Sequence, residues 1–457
     1  MKARCTSRLA FGSVMVAAMT VMSAGGLAAT SVGSSVVTAT PLLRVVNSAH
    51  YASPPTTQEC VEQIGLACYT PIQYQAAYDM NALYAKGLNG SGKTIVLVDS
   101  YGSPTIGADL ATFDKAFHLP APPSFSILQP EGQVPPFNPS NSTMVGWAEE
   151  TSLDVEYSHA MAPGANILLL ETPVAETEGV AGFPQMMAAE NYVINNHLGD
   201  VISQSFGATE ETFPTEQSLM NLRSAYVNAA AHNVTVLAAS GDAGVTGYRN
   251  AAGTLLYDHR TVDWPSSDPL VTSVGGTQLH LNAAGARLLP DNVWNDTNEL
   301  GSPAAGSGGV SEYFARPSYQ HSVASVVGTQ RGTPDVAMSA AVDGAALVYL
   351  GFLPTPAFYL IGGTSEASPL FSGVVAIADQ AAGHDLGLLN PALYSLAASG
   401  APGLQDITTG NNSVTFSQNG ATHTVKGYLA GPGYDLASGV GTVDGAMLVS
   451  ELSAKTG

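Results

Sequence analysis

The run DVISQSFG–ATEET–FPTEQSLMNLRSAYVNAAAHN–VTVLAASGD, residues 200–242, decides the fold. Two short apolar runs, rich in β-branched residues, bracket a stretch with apolar residues at helical spacing. A strand, a helix and a second strand in that order form a parallel pair joined by a right-handed crossover. Both strands run into small and polar residues, SFG and SGD, at their carboxyl ends. That is the rim where open parallel sheets hold their ligands.

The same alternation extends outward. TIVLVDS (94–100) reads as a buried strand and GADLATFDKAFHL (107–119) as a helix. MVGWAEETSLDVEYSHAMA (144–162) reads as a long amphipathic helix stopped by PGA, NILLLE (166–171) as a strand and GFPQMMAAENYVINNH (182–197) as a helix. TPIQYQAAYDMNALYAKGL (70–88) is helical and residues 213–233 are read as one helix. The pattern predicts an α/β fold with a mostly parallel central sheet and helices on both faces. Residues 250–360 carry more strand and turn signals, and the last fifty residues are loop-rich and Gly-rich. With no tandem repeat and no convincing linker, residues 70–457 read as one domain, preceded by an extension over 30–69.

Composition bounds what such a domain does. Of 457 residues, 45% are hydrophobic and 11% charged, with 48 Gly and 28 Pro, which fits a folded, turn-rich chain with a sizeable core. Lys2, Arg4 and Arg8 precede the apolar run LAFGSVMVAAMTVM and the small residues SAGGLAAT, so residues 1–29 read as a signal peptide and the chain as secreted and extracellular. Cys5 leaves with that peptide. Cys60 and Cys68 remain, an even number in an exported chain, so a disulfide between them is expected. The net charge is −21, from 15 Lys+Arg against 36 Asp+Glu. That balance argues against nucleic acid or an anionic membrane as partner. It suits either simple solubility in a neutral medium or an acid medium, where most carboxylates lose their charge and few cations are left to repel one another.

Three short motifs carry chemistry. GGTSEASP (362–369) delivers Ser365 into the first turn of a helix. Ser365 could cap that turn, or it could be a nucleophile held where backbone N–H groups can receive an oxyanion. A nucleophilic Ser needs a base. None of the 10 His stands in an HGTH-like setting; His159, near the end of the long helix, is the one to weigh as a base, and its polar edge and the helix dipole suffice to explain it. AEETSLDVE offers Glu150 and Asp154 at i, i+4, facing the same way; this is either a solvated face or a proton-sharing pair, with Glu149 and Glu156 beside it. Asp242 in AASGDAGVTG follows a strand in a Gly-rich turn, as a turn cap or as a site acid.

ETSLD, SGDAG and GGTSEASP, in that order, resemble the motifs of the sedolisin (serine-carboxyl peptidase) family, with supporting stretches such as HAMAPGANI, SQSFG, WPSSDPLVTSVGGT and RGTPDVA from about residue 68 to 444. The resemblance implies a subtilisin-like fold and a secreted, acid-active endopeptidase acting on polypeptides as a monomer. It makes Ser365 the nucleophile, Glu150 the base, Asp154 the partner that orients Glu150, and Asp242 the protonated donor to the oxyanion. It puts substrate backbone on Ser205, Phe206 and Gly207. It reads Asp99 as structural, because no His matches it. In QDITTGNN and AGPGYDLASGVGTVD the resemblance implies a Ca²⁺ site, with carboxylates from Asp406 and Asp435 and carbonyls from Ile407, Gly431 and Gly433; hard oxygen donors on loops suit that ion. Two other readings stay open: a catalytically inactive, calcium-stabilised binding protein of this fold, and a subtilisin-type Ser/His/Asp peptidase.

Overall fold

A computed structural model describes residues 40–174, 182–250 and 253–455; the expected signal peptide lies outside them. The described residues fall within one compact unit, Ser35–Gly457. Its centre is an eight-stranded sheet. Across it run Asn292–Val293, Thr272–Gln278, Thr235–Ala239, Val201–Gln204, Thr94–Ser100, Asn166–Thr172 and Phe125–Leu128, with Val336–Ser339 also paired to Thr272–Gln278. Every pairing is parallel except that of Asn292–Val293.

The strands alternate between two cores. Ile95, Leu97, Ile167, Leu169, Val201 and Leu237 point into one; Val96, Val98, Leu168, Leu170, Ile202 and Val236 point into the other. Both faces are therefore buried, which is why these strands read as unbroken apolar runs. On the first face the helices Ser142–Met161 and Thr364–Ala382 pack side by side. On the second lie Phe183–Asn195 and Ser224–His232.

Three expectations change. The long helix is not amphipathic: from Glu150 to Met161 every residue is buried, because other elements cover it all round. Its polar residues are instead bonded inward, as when Glu156 accepts from the Tyr349 N–H at 3.0 Å. The helix expected over 213–233 is broken into Glu216–Met220 and Ser224–His232. Thr215 caps the first piece, and Arg223, just before the second, is held by Asp268 at 2.5 Å. The helix expected over 70–88 likewise splits at Asp79, whose φ of 54° cannot continue it.

The extension over 40–69 is woven into the rest. Arg44–Tyr51 and Cys68–Tyr69 share a four-stranded sheet with Ala345–Leu350 and Ala357–Gly362. Thr40–Pro41 joins Phe206–Thr209 and Asp263–Trp264 in a three-stranded antiparallel sheet. Cys60 and Cys68 are disulfide-bonded, with Cα atoms 6.0 Å apart.

Candidate active site

The geometry around Ser365 follows from its local sequence. The strand Ala357–Gly362 ends in Gly363, whose φ is 118°. A Cβ there would stand 2.5 Å from Asp242 Oδ2, so both the turn and the close approach need glycine. Ser365 is the second residue of the helix, where backbone N–H groups have no partner within the helix. Pro369, four residues on, has no N–H to give the Ser365 carbonyl. Ser205 Oγ, at 3.4 Å, approaches that carbonyl instead.

The long helix brings its carboxyls to the same place. Ser365 Oγ donates to Glu150 Oε2 at 3.0 Å and lies 3.2 Å from the Ser205 carbonyl. Asp154 Oδ1 accepts from Ser205 Oγ at 2.7 Å. Ser365, Glu150 and Asp154 are each 0% exposed, so the i, i+4 pair is not a solvated face. Glu150 Oε1 and Asp154 Oδ2 are buried without a hydrogen-bond partner. Burial, then the charges of Asp154 and Asp99, push Glu150 well above the usual carboxyl range, against the Ser365 hydrogen bond. Burial and Asp99 do the same to Asp154, against Ser205. Such a cluster keeps protons that an exposed carboxyl would have lost.

Asp242 comes from the Gly-rich turn after Thr235–Ala239. Its Oδ1 accepts from both the N–H and the hydroxyl of Thr364, each at 2.8 Å, while the Gly241 N–H donates to that hydroxyl at 3.1 Å. Its Oδ2 is buried and unpartnered. Burial raises Asp242 to about 6, against Arg44 and the two Thr364 hydrogen bonds. Below that value Oδ2 can carry a proton and donate towards the space above Gly363.

Asp99 belongs to the cluster by charge, though sequence reasoning read it as structural. It is fully buried at the end of Thr94–Ser100 and raised to about 8, chiefly by burial. Its place at the carboxyl end of a central strand was the available signal. Thr364, which fixes Asp242, was also missed. His159 is held away from Ser365: its Nε2 lies 2.8 Å from the Pro120 carbonyl and 3.2 Å from Asp114.

The Asp406 and Asp435 loops meet. Gly433 N–H donates to Asp406 Oδ2 at 2.8 Å and Gly431 N–H to Asp435 Oδ2 at 3.0 Å. Asp435 Oδ1 takes three further bonds from Ala437 and Ser438. Among the described residues no group of three His, Cys, Asp or Glu side chains could hold a metal, so an ion here would need backbone carbonyls. Ile407, Gly431 and Gly433 lie in these same two loops. The donor chemistry, all oxygen, fits a hard cation.

The model of the subtilase family matches residues 139–397. The chain is 32% identical to kumamolisin of Bacillus sp. (strain MN-32) over 398 residues, 84% of this chain and 63% of that protein. It is 33% identical to sedolisin of Pseudomonas sp. (strain 101) over 273 residues, 59% of this chain and 44% of that protein. The chain thus spans less than two thirds of the length of these relatives. A solved structure of Pseudomonas sedolisin, a serine-carboxyl proteinase complexed with two molecules of pseudo-iodotyrostatin, superposes with a TM-score of 0.70 at 28% identity, covering 85% of this chain and 99% of that one.

Proposed function

Because the chain belongs to the subtilase family and, within it, to the sedolisins, we propose that it is an acid-active serine-carboxyl endopeptidase. The observation that carries this reading is the Ser365 hydroxyl held 3.0 Å from Glu150 inside a buried carboxyl cluster. Ser365 Oγ attacks the peptide carbonyl carbon and gives its proton to Glu150. Asp154 orients Glu150 and shares its charge, with Ser205 fixing Asp154. The tetrahedral oxyanion takes hydrogen bonds from the Ser365 N–H and from protonated Asp242. Glu150 then returns the proton to the leaving amine, and water hydrolyses the acyl ester by the reverse path.

A carboxylate base works only where carboxyls are partly protonated, so activity peaks in acid and fades above about pH 6, as Asp242 ionises. Residues 70–457 form the peptidase region, and the chain is secreted and monomeric. Among the described residues no helix is long and apolar enough to cross a membrane. Asp406 and Asp435, with the Ile407, Gly431 and Gly433 carbonyls, would hold Ca²⁺. Bound there, it would tie the two C-terminal loops together.

The test is hydrolysis of an uncharged peptide at acid pH, read by mass spectrometry. Ser365→Ala loses on the order of 10⁶ in turnover with its fold intact. A folded Ser365→Ala protein with near-native turnover would overturn the assignment.

A further inference from the structure

The turn that carries Asp242 is held from two sides by segments distant in the sequence. On one side the Ser307 N–H donates to the Gly241 carbonyl at 2.8 Å and the Ala305 N–H to the Asp242 carbonyl at 3.1 Å. The Gly244 N–H returns a bond to the Ala305 carbonyl at 2.9 Å. On the other side the Val245 N–H donates to the Asn412 carbonyl at 3.2 Å. A Cβ on Gly244, whose φ is 64°, would stand 2.7 Å from that carbonyl oxygen and 2.5 Å from Val414 Cγ1, so the C-terminal segment lies hard against the turn. Ala243, Val245, Ala305 and Val414 share one small apolar cluster there.

The Asn412 side chain joins the two sides. It is 0% exposed. Its Nδ2 donates to the Gly306 carbonyl at 3.2 Å, inside the segment that grips Gly241 and Asp242. Its Oδ1 accepts from the Tyr428 N–H at 2.8 Å, and its backbone N–H donates to the Tyr428 carbonyl at 3.3 Å. One buried amide therefore spans the Ala305–Ser307 segment, the turn and the chain returning at Tyr428. Removing it would take away the partner of a buried carbonyl and loosen the turn on both sides. The turn has little room to move. Thr364 fixes the Asp242 Oδ1 from the far side, and Oδ2 must stand where the oxyanion forms. A donor displaced by about 1 Å loses most of its effect on the barrier.

We propose that Asn412 is a positioning residue for the oxyanion acid: it touches no reacting atom and acts on turnover through Asp242. The proposal rests on the peptidase reading above. It makes the C-terminal segment part of the working site, since the amide that sets the Asp242 backbone comes from that segment.

The experiment is steady-state hydrolysis of an uncharged peptide by the full chain at about pH 4, below the value of about 6 at which Asp242 ionises, with Tm measured for every variant. Asn412→Ala lowers kcat on the order of 10²-fold and leaves KM within about twofold. In an Asp242→Ala background the same change costs less than about threefold, because the group it positions is gone. Asn412→Asp is the conservative variant. Of residues 241–245, 305–307 and 427–430, which pack on it, only Asp242 and Tyr428 are titratable. At about pH 3 its buried carboxyl is neutral, so one oxygen accepts from Tyr428 and the O–H donates to Gly306; kcat returns to within about fivefold of the parent. Asn412→Ser takes the place of the alanine variant if that chain does not fold. A folded variant with the parent kcat, one that changes KM alone, or one that loses as much in the Asp242→Ala background as in the parent overturns the positioning role and leaves the peptidase reading standing. So does an Asn412→Asp chain as slow as the alanine variant at about pH 3. If the parent hydrolyses no peptide, both fall.

Discussion

Asp242→Asn separates the electrostatics of this site from its shape. The native carboxyl uses Oδ1 to accept from Thr364, and its Oδ2 stands unpartnered above Gly363. An amide can do both tasks, with its oxygen towards Thr364 and its nitrogen towards the oxyanion. What it cannot do is ionise. Asp242 is raised from 3.8 to about 6, first by burial. A carboxyl raised on folding stabilises fully below its unfolded value, and that contribution is lost as pH rises through its folded value. The rise is worth about 3 kcal/mol at most, nearly all of it lost between pH 4 and pH 8.

In a Ser365→Ala background, which removes turnover, Asp242→Asn gains about 2–3 kcal/mol on its parent between pH 4 and pH 8. For a chain of this size that is roughly 3 °C in Tm, read by calorimetry at each pH. With Ser365 restored, parent turnover falls about tenfold per pH unit above the Asp242 value, since an anion there repels the oxyanion. The Asn variant loses that limb. Its turnover at pH 4 falls by less than the 10²–10³ typical of a deleted oxyanion donor, because the amide still donates. If the turnover ratio between pH 4 and pH 7 is the same in variant and parent, Asp242 does not set the alkaline limb and the reasoning fails.

Glu150→Gln and Asp154→Asn each lower peptide turnover by about 10³ or more, while Glu149→Gln, on a partly exposed neighbour, costs less than tenfold; the reverse order in a steady-state assay would move the base by one residue. Gly363→Ala is inactive and less stable, because its φ is 118° and its Cβ would meet Asp242 Oδ2 at 2.5 Å; a native Tm with native turnover would contradict that geometry. Chelation lowers the Tm of the parent, and Asp435→Ala lowers it and abolishes the chelator's effect; a parent melting curve unmoved by chelator, with no calcium by elemental analysis, would leave no metal at these loops.

Much of the fold was legible in the sequence, since buried parallel strands must be apolar on both faces and the helices between them carry their own period. TIVLVDS, NILLLE and VTVLAAS announced themselves in that way, and the i, i+4 spacing of Glu150 and Asp154 set them on one helix face. Spacing stops at the helix surface, however. It could not say that this face is 0% exposed, and it made the helix amphipathic when other elements cover it all round. Nor could it break residues 213–233, where Arg223 is held by Asp268, 45 positions later. The values that matter to the chemistry are tertiary in origin. A carboxyl's pKa depends on which dipoles and charges surround it, and Asp99, Glu150, Asp154 and Asp242 become neighbours only when three separate elements pack. The same holds for Leu42, whose own sequence is a plain apolar dipeptide in a weakly patterned extension. Its carbonyl meets Ser365, 323 positions away, because two sheet edges pair with the chain on either side of it, and pairing of that range is written in no local run of residues.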